Sequence, residues 1–175
     1  LAAGSVAAAE LREPEPTANR AVALGVLIGA LAREGRDKLT LVVAAPIDGF
    51  GAWAEQPVAE STGKHGVGVV PVDGEPLGAV ADYQDDRLFV RISLDGGRAP
   101  VAADGSSVET RLSELAAAGH PVIELKLSDP IDLGGEFMRW EIATAIAGVV
   151  LGINPFDEPN VTESKNNTVA VLGEL

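Results

Sequence analysis

From Arg20 to Glu34 apolar side chains recur at Val22, Leu24, Leu27, Ile28 and Leu31, the spacing of one helical face. Gly35 is placed to close that helix, and the small Gly25 and Gly29 would let it pack tightly on a sheet. Leu39 to Ala45 is continuously apolar and β-rich, the pattern of a strand covered on both faces. Pro46, Asp48 and Gly49 then predict a loop, and Phe50 to Ala59 a helix. Pro57 is expected to break it near Ala54 or to stand in the first turn of a new one, because an interior proline costs ~3 kcal/mol. Further strands are predicted over Val67–Val72, over Val90–Leu94 led by Arg87-Leu88-Phe89, and over Val122–Leu127. Ser106-Ser107-Val108-Glu109 has the spacing of a capping box, opening a helix that ends at Gly119. After Asp129-Pro130 a long apolar helix runs from about Leu133 to Gly152 and is broken by Pro155. Asn160 is placed to cap a last helix carrying Lys165. Residues 1–19 are alanine-rich, then carry Pro14 and Pro16, and read as a frayed helix followed by a linker to one domain over 20–175. Strands alternating with helices predict an α/β fold with a mostly parallel sheet, and no internal repeat is present.

Charge narrows the partners. Thirteen basic residues against 26 acidic ones leave a net charge of -13, which repels nucleic acid at long range. A phosphorylated small molecule would need a local cationic pocket. With no cysteine there is no disulfide, thiolate nucleophile or cysteine metal site, which agrees with a cytoplasmic setting. The longest apolar run, Ile142 to Ile153, falls short of the ~20 residues a membrane-spanning helix needs. The alanine-rich start lacks the basic region of a secretory signal and an initiator methionine, which points to an excised piece.

Candidate chemistry centres on Gln56-Pro57-Val58-Ala59-Glu60-Ser61-Thr62-Gly63-Lys64. A glutamate beside Ser-Thr-Gly suits proton transfer, since glycine admits a ligand close to the backbone and a carboxylate can act as base. The same residues also describe a solvated helix end. A second stretch, Gly148-Val149-Val150-Leu151-Gly152-Ile153-Asn154-Pro155-Phe156-Asp157, continues through Glu158-Pro159-Asn160-Val161-Thr162 to Lys165.

These two stretches resemble the glutamate-bearing segment and the C-terminal signature of phosphoglucose isomerases. Gly35-Arg36-Asp37-Lys38, Asp85-Asp86-Arg87-Leu88 and Phe137-Met138-Arg139-Trp140 read like the isomerase parts of bifunctional transaldolase/phosphoglucose isomerases. The resemblance runs from about Asn19 to Lys165. It implies a sugar isomerase (SIS) domain, a three-layer α/β/α sandwich of flavodoxin-like character. It also implies interconversion of glucose 6-phosphate and fructose 6-phosphate through an enediol(ate), in which one carboxylate moves a proton between C1 and C2. Glu60 matches the base, Lys165 the lysine near the sugar ring, and Gln56 and Glu158 substrate-contacting positions. Burial beside Trp53 and Val58 would raise the pKa of Glu60.

The sequence departs from the signature at Glu158-Pro159-Asn160-Val161-Thr162, where the family has Gln-x-Gly-Val-Glu, and a carboxylate at 158 would repel a phosphate. No histidine stands where the family carries its ring-opening one. His65 and His120 read as surface or hydrogen-bonding residues. Gly96-Gly97-Arg98 reads as a turn, Gly63-Lys64-His65 is not a phosphate loop, and no metal or other cofactor is called for. In the family the phosphate-binding loops and the enediolate-stabilising arginine come from a preceding SIS domain, so the chain is expected to be nearly inert alone, with that domain and a homodimer as partners. The alternative is a sugar-phosphate-binding or scaffold module without turnover.

Overall fold

The computed structural model describes residues 12, 13, 15, 18–157 and 159–173. The expected frayed helix at the start lies outside them. The described elements are α1 (Arg20–Arg33), β1 (Lys38–Val43), α2 (Gly49–Thr62), β2 (Val70–Val72), β3 (Arg87–Leu94), α3 (Val108–Ala117), β4 (Val122–Leu127), α4 (Leu133–Leu151) and α5 (Pro159–Gly173). Short 3-10 turns occupy Val80–Asp82 and Pro130–Asp132. All strand pairs are parallel, in the order β2-β1-β3-β4.

Alternation along the strands sends two apolar sets to opposite faces. Leu39, Leu41, Val43, Leu88, Val90 and Ile92 join Ile28 of α1, Phe50, Ala54 and Val58 of α2, and Trp140, Ala143 and Ala147 of α4 in one core. Val42 and Phe89 meet Val108, Leu112 and Leu115 of α3 in another. Helices therefore cover both faces, giving the three-layer α/β/α sandwich with a parallel sheet that the sequence predicts.

Several local expectations are corrected. The glycines of α1 approach α4, not the sheet: a Cβ on Gly25 would lie 2.4 Å from the Ala143 carbonyl oxygen, and one on Gly29 2.7 Å from Val150 Cβ. The helix at Pro57 does not break; α2 is continuous over Gly49–Thr62 with Pro57 inside. Phe50, Ala54 and Val58 bury one stripe across the proline, and Phe50 packs within 5.3 Å of both Trp53 and Phe137. Tertiary packing of that stripe outweighs one lost backbone hydrogen bond.

Strand β2 is shorter than its apolar run. Val67 is taken into a tight turn, exchanging both backbone hydrogen bonds with Lys64 across His65 (φ 54) and Gly66 (φ 79). The Val69 N–H goes to the Thr62 hydroxyl, so pairing with β1 begins only at Val70. Helix α3 is capped by Ser107 rather than Ser106, its hydroxyl accepting from the Thr110 N–H, while Glu109 turns to Arg91 of β3. Helix α5 begins at Pro159, so Asn160 lies within its first turn instead of capping it. Among the described residues no helix is long and apolar enough to cross a membrane.

Helix α4 buries a charge. Glu136 is 1% exposed and paired with Arg139, yet its Oε2 has no hydrogen-bond partner among the described residues. Burial pushes its carboxyl above the ordinary range, against the pull of Arg139 and Arg20. A raised folded-state pKa means the folded chain binds this proton more tightly than the unfolded chain. The stabilisation from protonation is full below the unfolded pKa and is lost as pH rises through the folded one. Glu136→Gln should therefore gain melting temperature over the wild type as pH is raised from about 4 to about 8, followed by scanning fluorimetry. A difference independent of pH would show that this carboxyl titrates alike in both states.

Candidate active site

Helix α2 starts beyond the carboxyl end of β1 and runs back along the sheet. At ~1.5 Å per residue its last turn lies ~20 Å away, at the amino end of the strands. Thr62 anchors that end. Fully buried, its hydroxyl donates to the Val58 carbonyl at 2.7 Å and accepts from the Val69 N–H at 2.9 Å. Glu60 is exposed on this anchored turn, and Gln56 is exposed one turn earlier on the same face. The burial of Glu60 against Trp53 and Val58 is not found. Val58 lies two residues away, ~200° around the helix, and points into the core.

Lys64 builds the opposite wall. It is 4% exposed, and its ammonium donates to the carbonyl of Asn154 at 3.1 Å and to that of Asp157, with the Asp157 carboxylate at 3.4 Å. A buried cation thus ties the α4–α5 loop to the end of α2. The loop is also internally braced: Gly152 takes φ 77, the Asn154 side chain accepts from the Phe156 N–H at 3.1 Å, and Pro155 lies against Gly148. Between these walls lies a cleft of about 550 Å³, lined by Glu60, Ser61, Lys64, Phe156, Asp157 and Val161 among others. Phe156, 83% exposed, stands at its rim.

The predicted site residues separate. Glu60 lines this cleft, while Gln56 lines a neighbouring groove with Asp37, Gly63 and Val70. Lys165 is exposed on α5, whose described side chains from 161 to 173 are all exposed, and it lines neither cavity. Glu158 lies outside the described residues. His65 is a turn residue, and His120 is buried with its ring 5.6 Å from that of Phe89. Sequence reasoning missed Lys64, whose burial depends on a loop 90 residues away. It missed Phe156 as well, though an aromatic between Pro155 and Asp157 in a polar loop is a visible signal.

A second cavity of about 520 Å³ opens at the carboxyl ends of β1 and β2, where open parallel sheets commonly take ligands. Asp48, Asp73, Glu75 and Arg98 all line it. Burial raises the pKa of Asp73, and Glu75 is paired with Arg87 at 2.7 Å. Three acidic side chains against one basic in the lining disfavour an anionic ligand. Gly96-Gly97-Arg98 is the expected turn, with Gly96 at φ 70 and Arg98 bridging Ala45. Among the described residues no three histidine, aspartate or glutamate side chains gather as a metal site.

No family model matches the sequence. Curated relatives do. Glucose-6-phosphate isomerases from Symbiobacterium thermophilum and Heliobacterium modesticaldum are 28% and 26% identical to it, each alignment covering 99% of this chain and 46% of the relative. That of Enterococcus faecalis is 26% identical over 89% of this chain and 42% of its own. Among solved structures, a hypothetical protein from Thermus thermophilus superposes with a TM-score of 0.71 at 18% identity, covering 98% of this chain and 49% of its own. A glucose-6-phosphate isomerase from Chlamydia trachomatis does so with a TM-score of 0.61 at 17% identity, over 98% and 41%. The chain spans a little under half the length of the curated relatives it matches. Along nearly its whole length, then, the chain is similar to the glucose-6-phosphate isomerases.

Proposed function

We propose that this chain is the base-bearing part of a glucose-6-phosphate isomerase, a SIS domain over 20–175 that interconverts glucose 6-phosphate and fructose 6-phosphate when a preceding SIS domain completes it. One observation carries the reading: Glu60 stands exposed on an anchored helix turn, in a cleft whose far wall is fixed by buried Lys64, in a chain similar throughout to isomerases of that name. The carboxylate takes a proton from one carbon of the open-chain sugar and returns it to the next. Gln56 and Glu158 contact the substrate, and Lys165 on α5 is brought to the ring by the partner domain. Placement in a homodimer, in the cytoplasm and behind a transaldolase unit belongs to the same proposal.

The separation of Lys165 from Glu60 supports a site completed from outside. So does the charge: among the described residues no cation lining the Glu60 cleft is free, since Lys64 is taken up by the α4–α5 loop. Phosphate contacts position such substrates, and their loss forfeits alignment of C1 and C2 with the base. The isolated chain should therefore show no turnover of fructose 6-phosphate in a coupled assay and only weak binding by calorimetry. Adding the preceding domain should restore both. Turnover by the chain alone would show a complete site and end this reading; no turnover with the added domain would favour a non-catalytic scaffold.

A further inference from the structure

Beside the Glu60 cleft, and sharing Ser61, Pro155 and Phe156 with it, lies a smaller hollow of about 240 Å³ between α2 and α4. Its floor holds an anomaly. Thr144 is 5% exposed, and its hydroxyl has no hydrogen-bond partner among the described residues. Buried hydroxyls are nearly always paired, and a helical threonine ordinarily bonds back to a carbonyl one turn earlier. Thr144 does neither, and it lines the hollow. One turn before it on α4, Glu141 is exposed at the edge; Ser61 closes the α2 side, one turn after Pro57.

The lining therefore combines two kinds of surface. Two hydroxyls and a carboxylate offer hydrogen bonds suited to alcohol groups. Pro57, Pro155 and the exposed ring of Phe156 offer apolar faces suited to C–H bonds. The charge in this lining is negative, which disfavours phosphate and other anions. A neutral chain of alternating C–H and O–H groups matches both sets.

We infer that this hollow is a polyol subsite, in which the Thr144 and Ser61 hydroxyls and Glu141 bind the non-phosphorylated hydroxyl groups of an acyclic sugar whose reacting carbons lie over Glu60. The inference deepens the proposed isomerase reading and rests on it for the identity of the ligand. Phe156 is the partition between the two cavities, and the bound sugar chain passes over it.

The test uses the full 175-residue chain, isotope-labelled, titrated with D-sorbitol, which is neutral and cannot isomerise. Amide shifts should appear at Ser61, Glu141 and Thr144 and saturate, with weak affinity. Thr144→Val keeps the shape and deletes the hydroxyl, so binding should weaken about three- to tenfold. Its melting temperature should hold or rise, since a lone buried hydroxyl is removed. Phe156→Ala, at an exposed position, should weaken binding without unfolding the chain. Absent shifts, unchanged affinity in Thr144→Val, or a lower melting temperature in that variant with intact binding would each overturn the subsite. The isomerase reading fails separately: no turnover of fructose 6-phosphate by the chain completed with its preceding domain would end it, whether or not sorbitol binds.

Discussion

Glu60→Gln is expected to lower isomerisation by about 10²–10⁴-fold in the chain completed by its preceding domain, with the melting temperature unchanged. The amide nearly matches the carboxylate in size but cannot accept the proton that must leave one carbon and reach the next. Stability is spared for a separate reason. Glu60 is exposed, and Thr62 and Lys64 anchor the turn that carries it without using its carboxylate. Exposed substitutions of that kind usually stay within about 0.5 kcal/mol. Two measurements decide it: initial rates by a coupled assay and a melting curve of each protein. Wild-type rates in the variant would take Glu60 out of the mechanism. A fall in both rate and melting temperature would mean the glutamate is structural.

The largest loss of stability is expected at Gly25. Its position on α1 faces α4 so closely that a methyl group would stand 2.4 Å from the Ala143 carbonyl oxygen and 2.7 Å from Ile146 Cβ. Backbone cannot rotate aside as a long side chain can, so the helices must separate. Overpacking of this kind costs about 1–3 kcal/mol, and Gly25→Val adds a branched side chain where even one carbon collides. For a chain of this size each kcal/mol corresponds to roughly 2–4 °C. Gly134 on α4 supplies the control, since nothing lies within 4 Å of a Cβ built there. Gly134→Ala should raise the melting temperature through the ~1 kcal/mol helix preference of alanine, while Gly25→Ala lowers it. Parallel responses at the two positions would refute close packing of α1 on α4.

Much of this architecture is local chemistry, and local chemistry is written in sequence. The apolar spacing of Val22 to Leu31, the continuous run of Leu39 to Ala45 and the glycine at 152 mark their elements within a residue or two. The run of alternating strands and helices was enough for an α/β fold with a parallel sheet, because parallel strands need crossovers that cover the sheet, and the resemblance added the three layers. Resemblance in the Glu60 segment and the Gly148–Asp157 segment indicated which two stretches belong together, and the cleft joins them.

Four features rest on contacts that the linear pattern does not carry. Pro57 continues a helix because its neighbours Phe50, Ala54 and Val58 bury against α4 and the sheet, a gain that propensity ignores. Val67 leaves its strand because Lys64 and Thr62 take its hydrogen bonds and those of Val69. Lys64 is buried only because the loop at Asn154–Asp157 arrives to receive its ammonium, and Thr144 lines a hollow only where α2 and the α4–α5 loop meet beside it. The sequence alone determined most of the elements, since spacing and residue type decide those over a few turns. Only the tertiary structure decided what surrounds Glu60, because a cleft is made of groups close in space whose separation along the chain leaves no periodicity to read.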